Sequence, residues 1–431
     1  VQIITSSVKK VYTHFSGDSL RKNSLLLILS QAVNAGSAFI FWIICARLFT
    51  SEQVGLATAF ISFGSLVSAF TNLGLPNTII RFLPVSKRRG SIFMAAILLI
   101  MIASLIGSVL AIAFIHTLSA KLAFIQQDPI LIVLLSLLIL GNTTSALLDG
   151  TLMAFREGKY IFRKAIITNL PRILLPFIFV GFAIKGMLAI YVIMLAVGVT
   201  YNMIIVCRKL LKNDVFYPVV HELVKHKSYA ASNYFGGMLG VLPSTLVPII
   251  VLNRLGAEQA AYFFIPMQIA AFLNIISSST SQALMSESSQ SDKPNAYKKH
   301  LGNALKQLYR LLGLGIAATI LLGWPVLRLY GSNYAANGFI VLVMLALASL
   351  FVAVNWLGDT LLNIQKRVVA YFIMNGLNAA AVIISVYLFA AHGLLGVSIG
   401  WIVAQAFSAL TYVFLFARPW LRGIVSGSST S

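Results

Sequence analysis

Long apolar runs recur along the whole chain, and the short linkers between them alternate between basic and nearly uncharged. Few folds accommodate that pattern. A run of about 20 apolar residues is long enough to cross a hydrocarbon layer as a helix. Twelve such runs are predicted, at 24–46, 54–80, 90–115, 129–151, 163–184, 187–207, 229–252, 259–285, 304–326, 334–358, 368–390 and 394–417. The chain is 59% hydrophobic and 10% charged, whereas soluble domains carry about 25% charged residues. Too little polar surface remains to coat a 431-residue globule in water, so the predicted class is an all-α membrane protein.

The linkers set the topology. Of the 32 Lys and Arg, 26 fall in the N-terminal segment, in the linkers after even-numbered spans or the first residues of the runs that follow them, or in the C-terminal tail. Arg47, Lys121, Lys185, Arg254 and Arg328 fall in the linkers after odd-numbered spans, and Arg172 is left inside a span. Cytoplasmic linkers carry the Lys and Arg excess. Both termini are therefore expected on the cytoplasmic side of the cell membrane, and the regular alternation supports twelve crossings. The expected layout is a cytoplasmic segment 1–23, a six-helix bundle 24–207, a cytoplasmic linker 208–228, a second six-helix bundle 229–417 and a cytoplasmic tail 418–431. The polar, basic stretch 1–22 does not read as a signal peptide. The formal net charge of +21 is scattered in short clusters. A nucleic-acid surface would gather it on one face among aromatics, so that class is excluded.

The two halves also retrace each other. Arg47-Leu48 and Glu52-Gln53 return as Arg254-Leu255 and Glu258-Gln259. Asp149, Thr151 and Leu152 return as Asp359, Thr360 and Leu361, and the run from Gly186 returns as the run from Gly393. Six spans per half is an even number, so the repeat is parallel. Duplicated blocks of roughly 200 apolar residues build many secondary transporters, with the substrate between the halves.

Polar residues inside apolar runs are the candidate site. Arg172 is the tenth residue of the fifth predicted run, ~14 Å along a helix and near the middle of a ~30 Å core. A charge there costs at least ~2.5 kcal/mol on the insertion scale and usually marks a site. Its forked donors suit a diphosphate, and Pro171 and Pro176 are expected to kink the helix around it. The alternatives are that Arg172 snorkels to the interface or pairs with Asp149. Amides stud other runs: Gln31, Asn34, Asn72, Asn142, Asn233, Gln268, Asn274, Asn355, Asn375 and Asn378. Any one of them fits interhelical glue, whereas the group fits a hydrated cavity for sugars. Asp149 and Asp359 match across the repeat and are expected to cap or pair with cytoplasmic arginines, Arg156 and Arg367 among them. Arg47 and Arg254, with Glu52 and Glu258, are expected to pin outer turns. Pro76, Pro243, Pro248 and Pro266 are expected to break or bend their helices. The seventh run, which also holds Gly236, Gly237 and Gly240, is the candidate moving element.

Cys45 and Cys207 form no metal or disulfide pattern. No P-loop, HExxH or dinucleotide fingerprint occurs, and no acid–base pair or nucleophile is placed for chemistry. No enzyme activity, cofactor or metal is expected.

The stretch from Asn23 to Pro84 resembles the opening of polysaccharide flippases of the multidrug/oligosaccharidyl-lipid/polysaccharide exporter superfamily. The resemblance rests on a polar-studded first span ending Ala46-Arg47-Leu48-Phe49, a short turn with Glu52 and Gly55, and Asn72-Leu73-Gly74-Leu75-Pro76 ahead of Arg81. It implies two six-helix bundles in a V around a central cavity, alternating access, and a polyprenyl-diphosphate-linked glycan carried from the cytoplasmic to the outer leaflet. The expected substrate-binding set is then Arg172, Arg81, Asn34, Gln31, Asn72, Asn233, Gln268 and Asn274. The expected partners are that glycolipid, membrane lipids and a glycan polymerase or assembly protein. Lipid II flippases of the superfamily usually have fourteen spans and several cationic cavity residues, which fits less well. The alternative is a cation-coupled multidrug exporter of the same fold. Such exporters usually carry an acid in the first or seventh span, and 24–46 and 229–252 contain none. A sugar porter of the other twelve-span class would show a Gly-x-x-x-Asp-Arg-x-Gly-Arg-Arg motif, which the linker PNTIIRFLPVSKRRG lacks.

Overall fold

The computed structural model describes residues 19–212, 214–219, 221, 227–289, 296–365 and 367–427. Side chains at 19–22, 24, 227–233, 236, 286–289, 296–301, 303 and 417–427 lie outside that description. All regular structure among the described residues is helical. The apolar runs become α1 (Ser19–Leu48), α2 (Ser51–Thr71), α3 (Arg89–Leu118), α4 (Pro129–Ala154), α5 (Gly158–Phe179), α6 (Ala183–Ile205), α7 (Lys227–Leu255), α8 (Ala257–Ser289), α9 (Ala296–Tyr330), α10 (Ser332–Ile364), α11 (Val368–Phe389) and α12 (Gly393–Gly427). Ten stretches among the described residues are long and apolar enough to cross a membrane. Two of them, Gly158–Leu210 and Val368–Phe416, are 53 and 49 residues long. Each holds two helices joined by a three-residue 3-10 turn, at Val180–Phe182 and Ala390–His392.

Those two turns share a design. Each is followed by a left-handed residue, Ala183 at φ 50 and Gly393 at φ 70. Gly186 and Gly396 then lie against the backbone carbonyls of Phe179 and Phe389, where a β-carbon would collide. Gly186 therefore corresponds to Gly396, and Gly393 to Ala183. The repeat register here is 210 residues, as between Asp149 and Asp359, and this corrects the pairing of Gly186 with Gly393.

A second departure concerns the run 54–80, which is not one helix. α2 stops at Thr71, and Leu73 (φ 54) and Gly74 (φ 67) turn left-handed. The Gly74 N–H donates to Asn72 Oδ1 at 2.9 Å, a side-chain turn that competes with helix continuation. A short helix, Leu75–Phe82, restarts with Pro76 in its first turn, where the missing N–H costs nothing. Pro76 thus begins a helix rather than bending one. Pro171, Pro176, Pro243, Pro248 and Pro266 all lie inside continuous helices.

The chain divides into two compact units. The first holds the described residues up to Leu48, Val67–Leu118 and Leu122–Tyr234; the second holds Phe49–Leu66, Ser119–Lys121 and the residues from Phe235. In the first unit, Leu75, Ile79 and Leu83 pack with Ile92 and Phe93 of α3 and Leu147, Leu148 and Leu152 of α4. A Ser104–Thr143 hydroxyl pair at 2.9 Å links α3 to α4. The far side of α3 exposes Ile102, Leu105, Ile106 and Val109, a face suited to lipid. Asp128 caps α4 by accepting from Ile130 N–H at 3.0 Å. It also pairs with Lys185 at 2.5 Å, and that ammonium's hydrogen bond holds its carboxyl below the usual range. In the second unit, Leu273 and Leu284 of α8 pack with Leu308 and Leu312 of α9 and Ala353 and Leu357 of α10.

Most of α2 belongs to the second unit. Its start is a capping box: Gln53 N–H donates to Thr50 Oγ1, and Thr50 N–H to Gln53 Oε1, both at 3.2 Å, which satisfies two orphan donors. Gly55 sits directly on the Ala257 carbonyl at the start of α8. Nearby, Tyr262 donates to Glu258 at 2.7 Å, and Arg254 stacks on Tyr387 at 3.8 Å. Backbone contact at Gly55 leaves no room for a side chain, so Gly55→Leu is expected to destabilise by roughly 1–3 kcal/mol or more. A thermal melt of the purified protein in detergent checks this; an unchanged midpoint would show that the contact is dispensable.

Candidate functional site

The first unit carries a cavity of ≈ 150 Å³ lined by Asn34, Lys164, Thr168, Asn169, Arg172 and Tyr191, among others. It lies among α1, α4, α5 and α6, with α5 packed on both α1 and α6. Arg172 is held between two rings, its guanidinium carbon 4.3 Å from the Phe41 centroid and 4.6 Å from that of Tyr191. A ring face attracts a cation most where water is absent. Arg172 Nε is buried and has no hydrogen-bond partner. α5 begins at Gly158, five residues before the predicted start. Arg172 is therefore ~21 Å from the first residue of the helix and ~10 Å from its last, nearer the C-terminal end than the sequence reading placed it.

Asp149 is not its partner. Lys164 Nζ reaches both Asp149 oxygens, at 2.7 and 2.6 Å, and Ser145 Oγ at 3.3 Å. Asn202 Nδ2 adds a bond to Asp149 at 2.8 Å. The carboxylate thus ties α4, α5 and α6 together, using Lys164 in place of the arginines expected from sequence. Asn34 joins the cavity by accepting from Asn169 Nδ2 at 2.7 Å. Gln31 lies one turn earlier on α1, is exposed and does not line the cavity.

The second unit carries a larger cavity, ≈ 500 Å³, walled by residues of α7, α8, α10, α11 and α12. Gln268 and Asn274 both line it, as do Asn355, Asn375 and Asn378. Sequence reasoning missed Trp356, Tyr371, Trp401 and Gln405, which complete its wall. Asp359 also faces it. Its Oδ1 accepts from Asn375 Nδ2 at 2.9 Å and from the Tyr412 hydroxyl. Asn355 Nδ2 donates to Gln405 Oε1 at 2.7 Å.

The remaining expected site residues lie elsewhere. Asn72 serves the turn after α2. Arg81 is exposed at the end of the short helix, its guanidinium 5.5 Å from the Phe82 ring. Asn233 falls on α7, where its side chain is outside the described residues. No cluster of three or more His, Cys, Asp or Glu suited to a metal occurs among the described residues.

Comparison with known proteins gives this geometry a context. Residues 20–286 match the family model described as polysaccharide biosynthesis protein. Over 93% of this chain and 98% of the relative, the sequence is 22% identical to a putative O-antigen transporter of Shigella flexneri. The fold resembles that of the lipid II flippase MurJ in an inward closed conformation, with TM-score 0.71, 14% identity and coverage of 91% of this chain and 87% of that one. It also resembles an inward-facing multidrug resistance MATE family transporter, with TM-score 0.67, 14% identity and coverage of 94% and 99%.

The Asp149–Lys164 pair predicts a measurable asymmetry. Lys164→Met strands a half-buried carboxylate and is expected to cost roughly 3 kcal/mol, read as a lower melting midpoint. Adding Asp149→Asn should recover most of that loss. If the double variant melts no higher than the single, Lys164 stabilises through packing and not through Asp149.

Proposed function

The chain belongs to the polysaccharide biosynthesis protein family, and from that premise we propose that it is a flippase for a lipid-diphosphate-linked oligosaccharide. In this reading it carries the head group from the cytoplasmic to the outer leaflet of the cell membrane by alternating access, and both termini are cytoplasmic. It crosses twelve times. A 53-residue helical stretch would span ~80 Å, far beyond a ~30 Å core, so the two long apolar stretches each hold two crossings. The two six-helix halves are parallel repeats in the 210-residue register. The protein performs transport and no bond chemistry, and a glycan polymerase or assembly protein is its natural partner.

The observation that carries this reading is the environment of Arg172. A buried guanidinium with aromatic rings on it and an unpartnered Nε is a cation kept ready for an anion. Phosphoryl oxygens accept the paired bonds that a guanidinium offers. Asn34, Thr168 and Asn169 beside it supply neutral donors and acceptors. Lys164 adds a second ammonium, balanced by Asp149. Arg81, Gln31, Asn72 and Asn233 remain in the proposed binding set on the strength of their sequence positions, and Gln268 and Asn274 on their place in the second cavity. An organic cation would gain nothing from Arg172, which disfavours the drug-exporter alternative.

Export complementation tests this. A null strain should accumulate the lipid-linked glycan internally and lose surface glycan, and the wild-type gene should restore export. Arg172→Ala is expected to reduce flipping at least about tenfold, the worth of one charge-assisted hydrogen bond. Arg172→Lys, which keeps charge but loses the fork, should recover part of it. Full export by Arg172→Ala at wild-type protein levels would remove the anion site; a null strain with normal glycan and no redundant flippase would remove the flippase reading.

A further inference from the structure

We propose that the cavity of the second unit is a saccharide-binding subsite that accepts neutral and amino sugars and rejects acidic ones. The proposal rests on the flippase reading for its biological role but not for its chemistry. The cavity, ≈ 500 Å³, falls within the ~300–1,000 Å³ typical of small-molecule sites. A bare ion needs far less room.

Its walls offer the two things a sugar ring requires. The apolar C–H faces of a pyranose need flat apolar surface, and Trp356, Trp401 and Tyr371 supply it; large rings provide such surface with a polar edge. Sugar hydroxyls need acceptors, and three are waiting. Asn355 is 8% exposed and spends its Nδ2 on Gln405, while its Oδ1 is buried without a partner. Asn378 Oδ1 is also buried and unpartnered. Both hydrogen bonds to Asp359 fall on Oδ1, which leaves Oδ2 as an acceptor. Unsatisfied buried acceptors are costly and rare in native proteins. A hydroxyl, which both donates and accepts, satisfies them.

The preference against acidic sugars comes from a difference between repeat-equivalent positions. Asp149 is neutralised by Lys164. Asp359, 210 residues later, receives only a neutral amide and a phenol among the described residues. Tyr371 and Tyr412 are its titratable neighbours. A carboxylate without a cation repels a uronic acid and tolerates an ammonium, which is specificity by an unfavourable charge.

The test uses the full-length protein in detergent or nanodiscs. Its intrinsic tryptophan fluorescence is titrated with galactose, N-acetylglucosamine, glucosamine and glucuronic acid. Two of the five tryptophans line the cavity. A saturable change is expected with the first three sugars and not with glucuronic acid, and Trp356→Phe with Trp401→Phe should remove it. Asp359→Asn, which keeps the shape and both hydrogen bonds, should weaken neutral-sugar binding about tenfold and abolish discrimination against glucuronic acid. Should that variant melt early, Asn378→Ala serves as the second probe, with the same weakening and discrimination retained. No saturable response to any sugar would overturn the proposal, as would a response confined to Na⁺ or to pH, which would make this an ion site. So would unchanged binding in both variants. Export lost in Arg172→Ala while no sugar binds would sink this subsite and leave the flippase reading intact. Sugar binding in a protein whose loss leaves glycan export normal would do the reverse.

Discussion

Lipid offers no hydrogen bonds, so a polar side chain among apolar helices must find its partner inside the protein. This constraint shapes the interior of both units. In the first, one carboxylate gathers Lys164, which also donates to Ser145, and Asn202, and thereby fixes α4, α5 and α6 against each other. In the second, the matching carboxylate gathers Asn375 and Tyr412 and fixes α10, α11 and α12. Each node sits at the wall of a cavity. The cavities are lined by helices that these polar nodes have already locked, so the side chains facing them are held in place before any ligand arrives.

Arg172 shows the same constraint from the other side. Its charge is not spent on a carboxylate among the described residues. Ring faces hold it, and they stabilise a cation without consuming its N–H donors. A structural arginine in lipid ordinarily has its donors filled, because an empty donor is expensive. The empty Nε therefore separates Arg172 from Lys164: Lys164 is balanced by Asp149, whereas Arg172 Nε has no partner, which is the basis of the anion role proposed for it.

Hydropathy made the helices legible because each long apolar run has one stable solution in lipid. It could not show where helices end inside a run. The break at Asn72-Leu73-Gly74 spans three residues and turns on one side-chain hydrogen bond. The joints at Val180–Phe182 and Ala390–His392, by contrast, fall within a few residues of the gaps between predicted runs. Arg172, Asn34, Gln268 and Asn274 stood out as polar residues in apolar company. Trp356, Trp401 and Tyr412 did not, since aromatics are ordinary in membrane helices and only tertiary placement distinguishes a cavity wall from a lipid face. Lys164 was hidden for another reason. It is the second residue of the fifth predicted run, beside a basic linker, whereas α5 begins at Gly158 and sets it well within the helix, on Asp149.

Each unit carries one carboxylate node, and two identical nodes would offer a ligand the same chemistry twice. The glycolipid head group proposed as substrate has unlike parts, a diphosphate and an uncharged or amino sugar, and these need opposite environments. The departure is small and local. Asn202 and Tyr412 each lie 53 residues after their carboxylate and both donate to it. The third partner differs, an ammonium from Lys164 in one unit and an amide from Asn375 in the other. With Lys164, the first carboxylate is neutralised, and Arg172 leaves its cavity net positive. With Asn375, the second carboxylate keeps its acceptor character beside amides and indole rings. A cation beside one carboxylate and an amide beside the other, contributed by neighbouring rather than equivalent positions, are enough to set the two cavities apart electrostatically.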